Sequence, residues 1–216
     1  MIKKKSTKIL IIIFVFIGLT AEMSMAQINA LTENGDEVLL YEDGTWAYKN
    51  DDLITESEIS TNEEIFVKDK KATFLVKSNK VNVGIWLNPK LWRFEKGEGD
   101  NEYLFTLKNE DLYAMFITER IAIPLDILKT AALNNAKDAA SDVRIVREEY
   151  RNVNESKVLM MQLSGTIQGI EFIYYGYYFS NENGTVQLIS YTSKSLLNEY
   201  LDDMDNLLNG FVELEK

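Results

Sequence analysis

The chain of 216 residues contains no cysteine, no histidine and only two prolines. Without cysteine and histidine, Ser-His-Asp and Cys-His nucleophile systems cannot be assembled. A structural zinc site, which draws on the same two residue types, is excluded with them. The chemistry left open would run on carboxylates, lysine, tyrosine or an oxygen-ligated metal. Basic residues are also scarce, 23 Lys and Arg against 34 Asp and Glu. A chain this acidic repels nucleic acid and anionic headgroups over its surface as a whole, so no nucleic-acid partner is expected.

The apolar run Ile9–Leu19 is eleven residues long, whereas a membrane-spanning helix needs about 20. It follows Lys3, Lys4, Lys5 and Lys8 and precedes Ser24-Met25-Ala26, whose outer residues are small where signal peptidase reads them. Residues 1–26 are therefore expected to be an export signal, cleaved between Ala26 and Gln27, which makes the protein periplasmic or secreted. Without cysteine there is no lipobox, so no stable membrane anchor is expected after cleavage. Cleavage removes four lysines and one glutamate, leaving 19 basic and 33 acidic side chains and a net charge of −14. The 190 residues that remain suffice for one ordinary domain plus a small extra unit, burying about 70% of the unfolded surface.

Residues 27–49 read as a three-stranded β-meander. Asn34-Gly35 and Asp43-Gly44 are both two-residue hairpin signals, because they tolerate positive φ. With two-residue loops, Tyr41 stands opposite Trp46, Leu39 opposite Tyr48, Ala30 opposite Leu39 and Ile28 opposite Tyr41. Tyr41, Trp46 and Tyr48 then share one face, the candidate surface for a sugar or a protein partner. The plainer reading is that the aromatics zip the hairpin together, each cross-strand pair contributing about 0.5–1.5 kcal/mol beyond its burial. Residues 50–65 follow as an acidic linker, with six acidic and no basic side chains between Asn50 and Glu64.

Residues 66–216 read as an α+β domain. The segments "TFLVKS", "VNVGIWLN", "EYLFTLK" and "LYAMFITER" alternate as strands do. Pro124 suits a first helical turn, and Leu125, Leu128, Ala132, Ala136 and Ala139 continue at helical spacing. Strands are expected over Ser156–Ser164, Ile170–Ser180 and Thr185–Thr192, with turns at Gln168-Gly169 and Asn183-Gly184. A closing helix places Leu197, Tyr200, Leu201, Met204, Leu207 and Leu208 on one stripe, with Gly210 expected as its left-handed cap.

The strand ending in "NPKLW", the helix after "AIPLDIL", the hairpin "GIEFIYYGYYFS…TVQLISYTS" and the helix end "LLNGF" together resemble the PsbP/DcrB-like superfamily over residues 66–214. That resemblance implies an antiparallel sheet covered by helices, and an accessory, assembly or binding role without a shared active site. Separately, "ENGDEVLLYEDGTWAY" resembles a short segment near the start of many exported Bacteroidetes proteins.

Several residues invite a chemical reading. The strand Ile170–Phe179 carries Tyr174 and Tyr178 on one side and Tyr175 and Tyr177 on the other, which suggests either a tyrosine-lined pocket or a strand buried on both faces. Gly176 within it signals a bulge or a close backbone approach. Asp202, Asp203 and Asp205 crowd one helix but lack a turning loop, so a solvated face is expected there rather than calcium. The loop "EKGEGDNE" lacks ligand spacing as well, and no metal or cofactor is expected. Glu148 and Glu149 are adjacent on a strand and so face opposite ways; they cannot act as an acid/base pair. Lys68 to Lys96 holds eight basic residues and two acidic ones, either a patch for an acidic partner or edge lysines that discourage aggregation. The leading functional expectation is an exported, non-catalytic accessory or binding protein of the bacterial envelope, its partner a protein or a glycan. The alternatives are a hydrolase using carboxylate or tyrosine chemistry, and a carrier for a small apolar ligand.

Overall fold

A computed structural model describes residues 28–31, 37–40, 46–48 and 59–214. The expected signal, its Ala26-Gln27 junction and Tyr41 lie outside these residues. The chain divides into two compact units, residues 1–57 and 58–216.

The first unit is a meander of β1 (Ile28–Leu31), β2 (Glu37–Leu40) and β3 (Trp46–Tyr48), antiparallel and paired in that order. Its register corrects the expected one by a single residue. Trp46 stands across from Leu40 rather than Tyr41, and Tyr48 from Val38 rather than Leu39; Ile28 and Ala30 likewise meet Leu40 and Val38. The intervals from Leu31 to Glu37 and from Leu40 to Trp46 each enclose an odd number of residues, whereas a two-residue turn encloses an even one. A slip of one exchanges which side chains are grouped on a face.

The second unit runs β4 (Thr61–Phe66), β5 (Phe74–Lys77), β6 (Val83–Leu87), β7 (Trp92–Lys96), β8 (Asn101–Leu107), β9 (Tyr113–Glu119), α1 (Leu125–Ala139), β10 (Arg144–Val153), β11 (Ser156–Ile167), β12 (Ile170–Asn181), β13 (Gly184–Ser193), α2 (Leu197–Leu208) and β14 (Phe211–Glu213). Eight of these strands form one sheet in the order β4-β10-β11-β12-β13-β9-β8-β7. All its pairings are antiparallel except β4 with β10. Strands β14, β6 and β5 make a second, antiparallel sheet. Strand β4 lies largely inside the stretch expected to be linker, so the folded unit begins earlier than residue 66.

Alternation along the strands builds three layers. On β12, Ile173, Tyr175, Tyr177 and Phe179 point into a core shared with the small sheet and α2. Tyr174 and Tyr178 point the other way, into cores closed by α1. Helix α2 holds on through Tyr200, Met204, Leu207 and Leu208, all buried. Burying side chains such as these last three stabilises by about 1.5–3 kcal/mol each. Leu201, expected on the same stripe, is 36% exposed. Helix α1 is held by Leu128 and two short side chains, Ala132 and Ala136. Pro124 precedes its first turn as the N-cap rather than joining it, and Ala140 takes the buried place expected for Ala139. Among the described residues no helix is long and apolar enough to cross a membrane.

The β11–β12 hairpin turns through Gln168 (φ 52°) and Gly169 (φ 81°), the doubly left-handed geometry that its sequence signals. Gly210 is not left-handed, and α2 ends instead on Asn209 in the right-handed region. Gly210 is needed for closeness: a Cβ there would lie 1.9 Å from the Trp86 carbonyl oxygen, where β14 joins β6.

Candidate functional site

The two faces of β12 carry the molecule's two most distinctive arrangements. Beneath α2, Arg151 projects from β10 with a side chain only 4% exposed. Its Nε donates to Glu149 Oε1 at 2.6 Å. One terminal nitrogen donates to the Tyr175 hydroxyl (2.9 Å), the Tyr177 hydroxyl (3.1 Å) and Asp205 Oδ1 (3.3 Å). The guanidinium carbon lies 4.5 Å from the centroid of the Phe66 ring, within range of a cation–π attraction. The tyrosines pass the chain onward, Tyr175 donating to Asp205 and Tyr177 to Asn209, both at 2.7 Å.

The protonation states follow from these contacts. Burial opposes charge on Arg151, but Tyr177, Tyr175 and Glu149 more than offset it and hold the guanidinium protonated. Burial would likewise raise the Glu149 carboxyl, yet donation from Arg151, Asn62 and Arg147 keeps it below the ordinary glutamate value. Burial pushes the Tyr177 hydroxyl up to about 12 and raises Tyr175 too. Every charge in the cluster is engaged with a neighbour, so it fastens α2 to the sheet. Asp205 accordingly departs from the solvated face expected of it.

On the opposite face, a cavity of about 210 Å³ opens between α1 and β9, β11, β12 and β13. Its walls include Met115, Ile117, Ala132, Leu163, Tyr178 and Ile189, with Tyr174, Asn135 and Gln187 also bordering it. No Asp, Glu, Lys or Arg is among its lining residues. The pocket reading of the tyrosine strand thus holds for Tyr174 and Tyr178, and the buried-strand reading for Tyr175 and Tyr177. Gly176 lies between them without a bulge, its pairings continuous on both sides. A Cβ there would stand 2.9 Å from the Leu188 carbonyl oxygen.

A second hollow, of about 190 Å³, lies beside α2 and mixes polar and apolar walls, with Asp69, Lys71, Asn88, Asp203 and Asn206 beside Leu91, Trp92 and Leu207. Burial, together with Asp202 and Glu110, raises the Asp203 carboxyl. Asp69 accepts the Lys71 backbone N–H at 2.6 Å. Glu148 and Glu149 do face apart, Glu148 pairing with Lys129 of α1 at 2.6 Å. Glu102, at the end of the loop considered for calcium, is buried and accepts from Ser78 Oγ (2.7 Å), the Asn79 N–H (2.5 Å) and the Thr118 hydroxyl. Burial would raise its carboxyl, but those donors hold it below the usual range. Among the described residues, no three His, Cys, Asp or Glu side chains are grouped to hold a metal. In the basic stretch, Lys77 ends β5, and Arg93 and Lys96 lie on β7. Both are edge strands of their sheets. Trp46 and Tyr48 lie on β3 of the first unit.

The Arg151 cluster escaped the sequence reading because its members come from four separate segments of the chain, β4, β10, β12 and α2. One signal was available: Tyr175 and Tyr177 share a strand face, and a buried tyrosine hydroxyl calls for a polar partner.

No protein-family model and no curated protein sequence matches the chain. Among solved structures, it is similar to the cyanobacterial PsbP protein (CyanoP) of Synechocystis sp. PCC 6803. The TM-score is 0.52 at 13% identity, covering 65% of this chain and 91% of that one. Lesser likenesses are to LpqN of Mycobacterium tuberculosis, involved in cell envelope biogenesis (TM-score 0.47, 10% identity, 66% of this chain and 90% of that one), and to a protein of Bacteroides thetaiotaomicron (TM-score 0.44, 9% identity, 66% and 48%). The chain therefore has a PsbP-like α+β fold over about two thirds of its length, as the sequence resemblance implied. At this identity the likeness concerns the fold alone.

Proposed function

We propose that this chain is an exported, non-catalytic accessory or binding protein of the bacterial cell envelope, working in the periplasm or outside the cell. One observation carries the reading. The buried charges beneath α2 satisfy one another, while the cavity under α1 is lined by neutral groups, an arrangement suited to holding a ligand rather than transforming one. The signal-like residues 1–26 support the location. Trp46 and Tyr48, two residues apart on β3, remain the candidate contact surface of the first unit for a protein or glycan; Trp46 pairs with Leu40 rather than Tyr41. A carboxylate hydrolase is the second reading, and it rests on Asp203, whose raised carboxyl borders the same hollow as Asp69.

Expression of the whole chain in a bacterial host tests the proposal. The protein recovered from the periplasm or medium should begin at Gln27 and retain an envelope component on an affinity support. Trp46→Ala should lose that component if the meander is the contact. Intact protein beginning at Met1 in the membrane fraction contradicts the export reading. Turnover of a glycan or ester that Asp203→Asn abolishes contradicts the binding reading in favour of the hydrolase.

A further inference from the structure

Tyr178 is 1% exposed and lines the cavity under α1, yet among the described residues its hydroxyl has no hydrogen-bond partner, unlike the hydroxyls of Tyr175 and Tyr177 on the same strand. Among the described residues that oxygen is not one of the sealed side-chain atoms left without a partner, so the hydroxyl opens onto the cavity, where a guest can accept from it. The walls around it are apolar and free of formal charge, so a charged guest would be desolvated without compensation. The volume, about 210 Å³, exceeds the roughly 150 Å³ of an apolar cavity known to take up benzene. Met115 brings a thioether that adapts to irregular shapes, and the Tyr174 ring adds an aromatic border. Asn135, exposed, and Gln187, half-buried, provide polar groups at its margin.

We propose that this cavity is a binding site for a small, neutral, flat aromatic molecule of one or two rings, whose carbonyl or ether oxygen accepts a hydrogen bond from the Tyr178 hydroxyl. The inference rests on the binding reading above and names the ligand class for it. The rings fill the space between Leu163, Ile189 and Ala132, and the single acceptor fixes their orientation. Burial raises the Tyr178 pKa, so the hydroxyl stays a neutral donor throughout the physiological range. Entry is favoured by the way α1 is seated, since Ala132 and Ala136 interlock less deeply with the sheet than longer side chains would.

Acetophenone and α-methylstyrene have nearly the same shape, but only the first carries an acceptor oxygen, and they are the probes. Each is titrated into the purified protein while the methyl resonances of Ala132, Ala136 and Met115 are followed by NMR. Acetophenone should bind saturably and at least tenfold more tightly than α-methylstyrene. Tyr178→Phe should remove that preference while leaving the melting temperature equal or higher, because it deletes a hydroxyl that has no partner among the described residues. Ala136→Leu, which fills the cavity, should abolish binding of both probes; Ala132→Val serves the same purpose if that variant does not fold. Saturable binding by neither probe, a preference that survives Tyr178→Phe, or binding undiminished by the filling variants would each overturn the proposal. A melting temperature that falls in Tyr178→Phe would overturn it too, by showing that the hydroxyl is structural. Failure here leaves the envelope reading standing, since that is judged by location and retained partner; protein confined to the cytoplasm that still binds acetophenone would fail that reading alone.

Discussion

Arg151→Ala is expected to lower the unfolding free energy by about 3–5 kcal/mol, read from urea denaturation at neutral pH. Arg151 is the one positive group that reaches Glu149, Asp205 and both tyrosine hydroxyls beneath α2. Its loss leaves Glu149, whose side chain is 12% exposed, with only Asn62 and the outer Arg147 as donors. A buried ion pair adds little over a well-packed apolar pair, but removing one partner strands the other in a poor solvent. Arg151→Met combined with Glu149→Leu should therefore be less destabilised than Arg151→Ala alone. A loss below about 1 kcal/mol in Arg151→Ala, within reach of an exposed pair, would show that the cluster is not a fastening.

Leu207→Ala is expected to cost about 2–5 kcal/mol by the same measurement. Leu207 is 1% exposed and belongs to the core that α2 shares with the small sheet and β12, so truncation opens a void where neighbours on three sides are fixed. Leu201→Ala is its control. Leu201 stands on the stripe that sequence periodicity drew for α2, but it is 36% exposed, and its truncation should change stability by less than about 0.5 kcal/mol. Equal losses at the two positions would mean that the helix is rotated relative to the orientation described.

Legibility in the sequence followed the range of the interactions involved. The Gln168-Gly169 turn, the opposed faces of Glu148 and Glu149 and the α2 stripe are local, and all are present in the fold except that Leu201 drops out of the stripe. The PsbP-like arrangement was legible from the order of elements and the four segments that carry the resemblance. Strand β4 was not, because it has two apolar residues at its end, one of which, Ile65, is 78% exposed, and its sheet partner among the described residues, β10, lies far along the chain. Strand β7 shows only Trp92 as a buried residue, too little for an alternating pattern. The meander's register failed for another reason: Asn-Gly and Asp-Gly signal a turn, but they do not by themselves fix how many residues it encloses. At the candidate site, the sequence grouped Tyr174 with Tyr178 on one face. It could not place Met115, Leu163 and Ile189 around them, since these come from neighbouring strands whose order only the fold decides.

The central claim is that the sheet's two helical covers differ: α2 is fastened by apolar anchors and a charge cluster, whereas α1 rests on small side chains above a cavity that admits a ligand. Amide hydrogen exchange on the purified protein reads this difference directly, because exchange reports the free energy of local opening, element by element. Amides of α1 between Lys129 and Ala139 should exchange through local opening well before those of α2 and of β10 to β13, and should slow when acetophenone is added. Protection of α1 equal to that of α2, unchanged by the probe, would contradict the account.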